Sequence, residues 1–178
     1  DIDGEDTEDQ SGYSVSLSDD GSILAIGAPK NDGNGNNNGH VRVYELVDGT
    51  WTQKGGDIDG ENAGDNSGES VSLSDDGSVL AIGTPNANSM KGYVKVYQRS
   101  GATWTPIGDK IEGGAAGDMS GASVALSDDG SILAIGAPYA NSMKGYVKVY
   151  QRSGTTWTPI GDKIEGGERD FSGLSVAL

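Results

Sequence analysis

Short runs of alternating apolar and polar residues dominate the chain. Val15 and Leu17 alternate with Ser14 and Ser16, the period of two that marks a β-strand, and predict a first strand over 13–17. Asp19-Asp20-Gly21 follows, and Asp-Gly tolerates the positive φ of a tight hairpin. The next run, Ile23-Leu24-Ala25-Ile26, is continuously apolar and predicts a second strand over 22–28, buried on both faces. Pro29 closes it, because proline cannot donate to a ladder. Beyond an Asn/Gly loop, a third strand is expected over 40–46, with Val41, Val43 and Glu45 on one face and Arg42, Tyr44 and Leu46 on the other. A fourth, over 50–54, carries Trp51.

The same pattern returns. Ser-Gly pairs stand at Ser11-Gly12, Ser67-Gly68, Ser120-Gly121 and Ser172-Gly173, and Trp51, Trp104 and Trp157 are each 53 residues apart. From Asp65 to Gly114 against Asp118 to Gly167, 43 of 50 positions agree. The chain therefore divides into repeat 1 (1–56), repeat 2 (57–109), repeat 3 (110–162) and the first strand of a fourth copy (163–178). Both ends fall inside a repeat, as those of a segment of something longer would.

Four short antiparallel strands per copy predict an all-β fold of tandem blades, β-propeller-like. Three blades close no ring, so closure needs further repeats or chains; the alternative is an open superhelical stack in a fibre. One blade buries too little by itself, so neighbours must stack. Trp51, Trp104 and Trp157, with Tyr44, Tyr97 and Tyr150, are the expected anchors between blades. The overhanging strand 172–178 is placed to add to another blade.

Composition narrows the functions. A net charge of −15 with 12 basic residues repels phosphate backbones and anionic membranes, so nucleic acid is excluded as a partner. No stretch approaches 18 apolar residues, so no membrane-inserting helix is expected. The absence of Cys removes disulfides, thiolate metal sites and Cys nucleophiles.

The triplet Gly-x-Ser-Val-x-Leu, Leu-Ala-Ile-Gly-Ala-Pro and Gly-x-Val-x-Val-Tyr, at 12–17, 24–29 and 39–44 and again in the later copies, resembles the FG-GAP repeat. The resemblance covers nearly the whole chain. It implies a blade of the propeller found in integrin α subunits and microbial surface proteins, hence an extracellular or cell-surface adhesive or recognition role without catalysis. Two departures matter. Ser stands before Gly where the family has Phe, and its calcium loop is shortened to Ser18-Asp19-Asp20-Gly21-Ser22 and its copies. That is too short to wrap calcium with six oxygens, so the family's calcium sites are not carried over.

Candidate sites are few. The weak calcium candidates are Asp3, Glu5, Asp6 and Asp9, in the first of four acidic loops (1–9, 57–65, 109–118, 162–170); these loops read first as solvated charge, and their carboxylates do not repeat. No other cofactor is expected. His40, the single His, aligns with Tyr93 and Tyr146 and reads as a strand position taking any large ring. Asn31 to Asn38 read as a flexible insertion with amides suited to sugar, and the Asn-Ser-Met-Lys loops at 88–91 and 141–144 as plain turns. The expectation is a non-catalytic structural or adhesive repeat protein, part of an array or fibre and self-associating by blade stacking or strand addition. The alternative is a lectin-like or integrin-head-like module for protein or glycan ligands.

Overall fold

A computed structural model describes residues 1–178. Its first sheet comprises β1 (Ser14–Leu17), β2 (Ile23–Ala28), β3 (His40–Val47) and β4 (Thr50–Gln53) in chain order, with β5 (Ile58–Asp59) also on β3. The second repeats this with β6 (Ser70–Leu73), β7 (Val79–Thr84), β8 (Tyr93–Ser100), β9 (Thr103–Pro106) and β10 (Ile111–Glu112). The third consists of β11 (Ser123–Leu126), β12 (Ile132–Ala137), β13 (Tyr146–Ser153), β14 (Thr156–Pro159) and β15 (Ile164–Glu165). All pairs are antiparallel, and the register repeats: Val15 faces Ile26, Val71 faces Ile82 and Val124 faces Ile135. The fold is all-β, made of tandem four-stranded blades.

The four strands read from the pattern all form, each end within one residue of its expected place. The two-residue strand β5 carries no periodic signal and was not foreseen. Its cause lies in β3, whose outer edge β4 covers only from Tyr44 to Val47. At the other end of that edge His40 and Val41 pair with Asp59 and Ile58, so backbone groups that would otherwise stay open are satisfied. The sheet thus reaches past the repeat boundary at 56.

The core lies between blades. One cluster joins Ile23, Ala25, Val41, Val43 and Ile58 of the first sheet to Val71, Leu73, Leu80, Ile82 and Tyr97 of the second. A second cluster joins Val79, Ala81, Val94 and Val96 to Val124, Leu126, Leu133, Ile135 and Tyr150. The middle blade is covered on both sides, and β7 is buried along its whole length.

The serines of the alternating strands have a use the pattern does not reveal. Ser14 Oγ donates to the Gly68 carbonyl at 2.7 Å and Ser16 Oγ accepts the Leu73 N–H at 2.9 Å. Ser70 and Ser72 do the same to Gly121 and Leu126. The polar face of each inner strand is therefore turned to the next blade, and a short hydroxyl fits where the backbones come close. The approach is close at Gly27, Gly83 and Gly136, where a Cβ would overlap the carbonyl oxygens of Gly68, Gly121 and Gly173.

Loops zip neighbouring repeats together as well. In the Asn-Ser-Met-Lys turn, Asn88 (φ 54°, ψ 53°), Ser89 (φ 58°, ψ 44°) and Met90 (φ 61°) are all left-handed, a conformation costing roughly 1–2 kcal/mol per L-residue. The turn presents the Ser89, Met90 and Lys91 carbonyls to the N–H groups of Gly117, Met119 and Ser120. Those inter-repeat bonds offset the strain. In the first blade the longer Asn31–Asn38 loop does the same job, its Asn36, Asn37 and Asn38 carbonyls accepting from Gly64, Asn66 and Ser67.

The overhang behaves differently from expectation. Ser172 and Gly173 dock as their equivalents do, with Ser123 Oγ donating to the Gly173 carbonyl at 2.8 Å, but 174–178 form no strand. An inner strand pairs with the second strand of its own blade, and none stands beside it here.

Candidate functional site

Three groups of side chains combine charge with proximity. The first is the hairpin row. Asp20 accepts from the Ser18 hydroxyl and from the N–H and hydroxyl of Ser22, and Asp129 from Ser127 and Ser131 in the same way. The Ser131 hydroxyl and N–H, with the Ser127 hydroxyl, hold Asp129 down to about 2. The hairpins stack, Asp19 N–H on the Asp75 carbonyl and Asp75 N–H on the Asp128 carbonyl, both at 2.9 Å. Partial desolvation and the flanking Asp128 and Asp19 push Asp75 up. This is where the related calcium loop would lie. The second Asp of each hairpin, Asp20, Asp76 and Asp129, turns its Oδ1 to the turn's own hydroxyls and N–H groups.

The second group is the end of each acidic loop. Asp9, Asp65 and Asp118 are buried, not solvated as the charge pattern implied. Each accepts the N–H three residues earlier, from Asp6, Asn62 and Ala115. Tyr93 donates to Asp65 at 3.4 Å and Tyr146 to Asp118 at 3.3 Å. Burial first, then the Asp118 carboxylate, pushes the Tyr146 hydroxyl up to about 12. In the first blade, where His40 replaces the Tyr, Asn31 Nδ2 donates to Asp9 at 2.8 Å instead. These carboxylates lock loops.

The third group belongs to the first blade alone. Arg42 on β3 forms ion pairs with Glu5 and with Asp57, whose Oδ1 lies 2.9 Å from Nε. His40, two residues earlier on the same strand, is 3 % exposed. Its Nδ1 lies 3.9 Å from both Glu5 Oε2 and Asp57 Oδ2. Burial holds the imidazole below its usual value; Asp57 opposes this and Arg42 adds to it. Burial also raises Asp59 nearby. His40 is thus more than a large ring in a strand; its partners, far away in sequence, gave no local signal.

Of the four weak calcium candidates, only Glu5 joins this group. Asp9 caps its own loop through the Asp6 N–H, and Asp3 and Asp6 are exposed. Beside them an open cleft of about 600 Å³ is lined by Glu5, Asp6, Thr7, Asp9, Asn31, Asp32 and Gly33, none of them hydrophobic. Among the expected anchors, Trp104 packs on the first cluster and donates from Nε1 to the Lys54 carbonyl at 3.3 Å. Trp157 packs on the second cluster, its buried Nε1–H without an acceptor. Tyr97 and Tyr150 lie within those clusters. Trp51 and Tyr44 occupy the same positions on the first blade and belong to neither cluster.

Residues 3–44 match the family model of the FG-GAP repeat. The first blade is an FG-GAP repeat. The second and third blades repeat the strand register of the first. No curated protein matches the chain. In shape it is similar to a candidate 6-phosphogluconolactonase from Bacteroides uniformis, with TM-score 0.61 and 15% identity over 88% of this chain and 42% of that one. It is similar to Sqt1 of Saccharomyces cerevisiae, with TM-score 0.57 and 14% identity over 88% and 36%. It is also similar to the periplasmic gluconolactonase PpgL of Pseudomonas aeruginosa, with TM-score 0.50 and 16% identity over 84% and 45%. The shared architecture is that of β-propeller blades, and this chain spans less than half of each of these proteins.

Proposed function

We propose that this FG-GAP array is a non-catalytic assembly module of an extracellular structural or adhesive protein, and that its end blades stack on further blades, of a longer array or of other copies of the chain. One observation carries the reading. Val15 and Leu17 on the first blade are 60% and 52% exposed, whereas their equivalents Val71 and Leu73 are 9% and 7% exposed beneath the preceding blade. On the third blade Ile164 is 62% exposed, whereas Ile58 is at 8% beneath the following one. The front of the first blade and the back of the third are two halves of an interface the chain already makes twice. Such a head-to-tail contact is heterologous and either closes a ring or grows a filament.

Light scattering across a concentration series, with electron microscopy of the same samples, tests this. Concentration-dependent association is expected, abolished by Val15→Asp and equally by Ile164→Asp. Monomers at all concentrations, or association unaffected by either change, would refute it.

A second reading, a recognition module for protein or glycan ligands, draws on the polar cleft beside the Asn31–Asn38 loop, which is unique to the first blade. Glycan-array binding that depends on Asn31 and Asp32 would favour it over the assembly reading.

A further inference from the structure

We propose that Glu5, His40 and Asp57 form a binding site for one divalent transition-metal ion of the zinc class. The inference does not rest on the assembly reading. The three residues offer one nitrogen and two oxygens, all within 4.8 Å of one another. Ligands on a tetrahedral ion with bonds of about 2.0–2.1 Å stand roughly 3.4 Å apart. The present 3.9 Å from His40 Nδ1 to each carboxylate closes by small rotations of Glu5 and Asp57, whose side chains are 41% and 27% exposed. His40 itself is held in strand β3 and cannot swing away.

The imidazole gives an observation independent of the carboxylates. It is 3% exposed, and its Nδ1 lies 3.9 Å from an oxygen of each acid, beyond hydrogen-bond reach. That leaves Nδ1 open as a ligand atom facing two carboxylate oxygens, a place a metal ion would fill. Arg42 takes Glu5 Oε1 and Asp57 Oδ1, which leaves Oε2 and Oδ2 toward His40 and fixes both acids in orientation, the part outer-shell groups play at metal sites. Two weaker contacts must yield to the ion: Arg42 Nη2 to Asp57 Oδ2 at 3.1 Å and Asn31 Nδ2 to Glu5 Oε2 at 3.3 Å.

Comparison of the blades isolates the change. His40 stands where the others have Tyr93 and Tyr146, and Asp57 where they have Lys110 and Lys163. In the second blade Lys110 lies 4.9 Å above the Tyr93 ring and pairs with Glu61, the equivalent of Glu5, at 2.8 Å. In the third, Lys163 lies 5.7 Å from the Tyr146 ring. The first blade thus exchanges a resident ammonium and a phenol for a carboxylate and an imidazole, together and in contact. Three carboxylates, Glu5, Asp57 and Asp59, then face one guanidinium, an excess of two negative charges that a dication balances. A nitrogen donor selects against calcium and magnesium, which take oxygen ligands, and imidazole with carboxylate suits zinc and its neighbours.

Because the chain has one His, its imidazole nitrogens are unambiguous in a long-range proton–nitrogen NMR spectrum. Metal-free protein titrated with zinc chloride is expected to shift a ring nitrogen to completion near one equivalent, and calcium chloride at the same concentration to leave it in place. Calorimetry should show one site, weakened at least about tenfold in H40Y/D57K, which restores the pair the second blade folds with. Should that variant misfold, Asp57→Asn read by the same imidazole signal replaces it. An imidazole unmoved by excess zinc overturns the proposal. So does undiminished zinc affinity in the variant, which would put the ion on surface carboxylates.

Discussion

At the residue scale the hairpin acids show how few atoms decide a turn. Asp129 is held down by hydrogen bonds from Ser131 and Ser127, so its folded pKa lies below the unfolded one. The contribution is complete above about pH 4, the unfolded carboxylate value, and is lost as pH falls through about 2. Asp129→Ala is therefore expected to melt below the parent at pH 7, with the gap narrowing between pH 4 and 2 in thermal scans; a gap independent of pH would mean that the carboxylate charge plays no part. The turn itself was legible in Asp-Asp-Gly-Ser. The loop-end Asp65 was not: its burial depends on Tyr93, 28 residues away.

At the scale of elements, identical strands acquire different worth from their neighbours. Trp51 and Trp104 hold the same position in β4 and β9, yet only Trp104 packs on an inter-blade cluster and hydrogen-bonds the preceding blade. Truncation of a packed aromatic forfeits apolar burial and leaves a void. Trp104→Ala is expected to cost about 2–3 kcal/mol in urea unfolding, and Trp51→Ala less than about 1 kcal/mol. Equal costs would show that the Trp stabilises its own hairpin and not the stack.

For the whole molecule the question is what the end blades meet. Residues 173–178 align with 12–17, so an incoming copy's β1 arrives where 174–178 now lie. Removal of 174–178 is expected to strengthen the self-association seen by light scattering, because it clears that place. Weaker association would instead mark the segment as a strand donor to the neighbouring copy. Adhesion through protein or glycan contact belongs to the proposal above.

The sequence by itself determined the period, the four principal strands and their hairpins, because these depend on alternation, turn chemistry and proline, all local. It also marked the FG-GAP triplet. Only the tertiary structure decided which face of each strand meets a neighbour, why serine fills the polar positions, how β5 completes the edge of β3, and that His40 joins Glu5 and Asp57. Each of those needs groups some 17 to 57 residues apart to come within a few ångströms, and nothing in a local pattern records such a meeting.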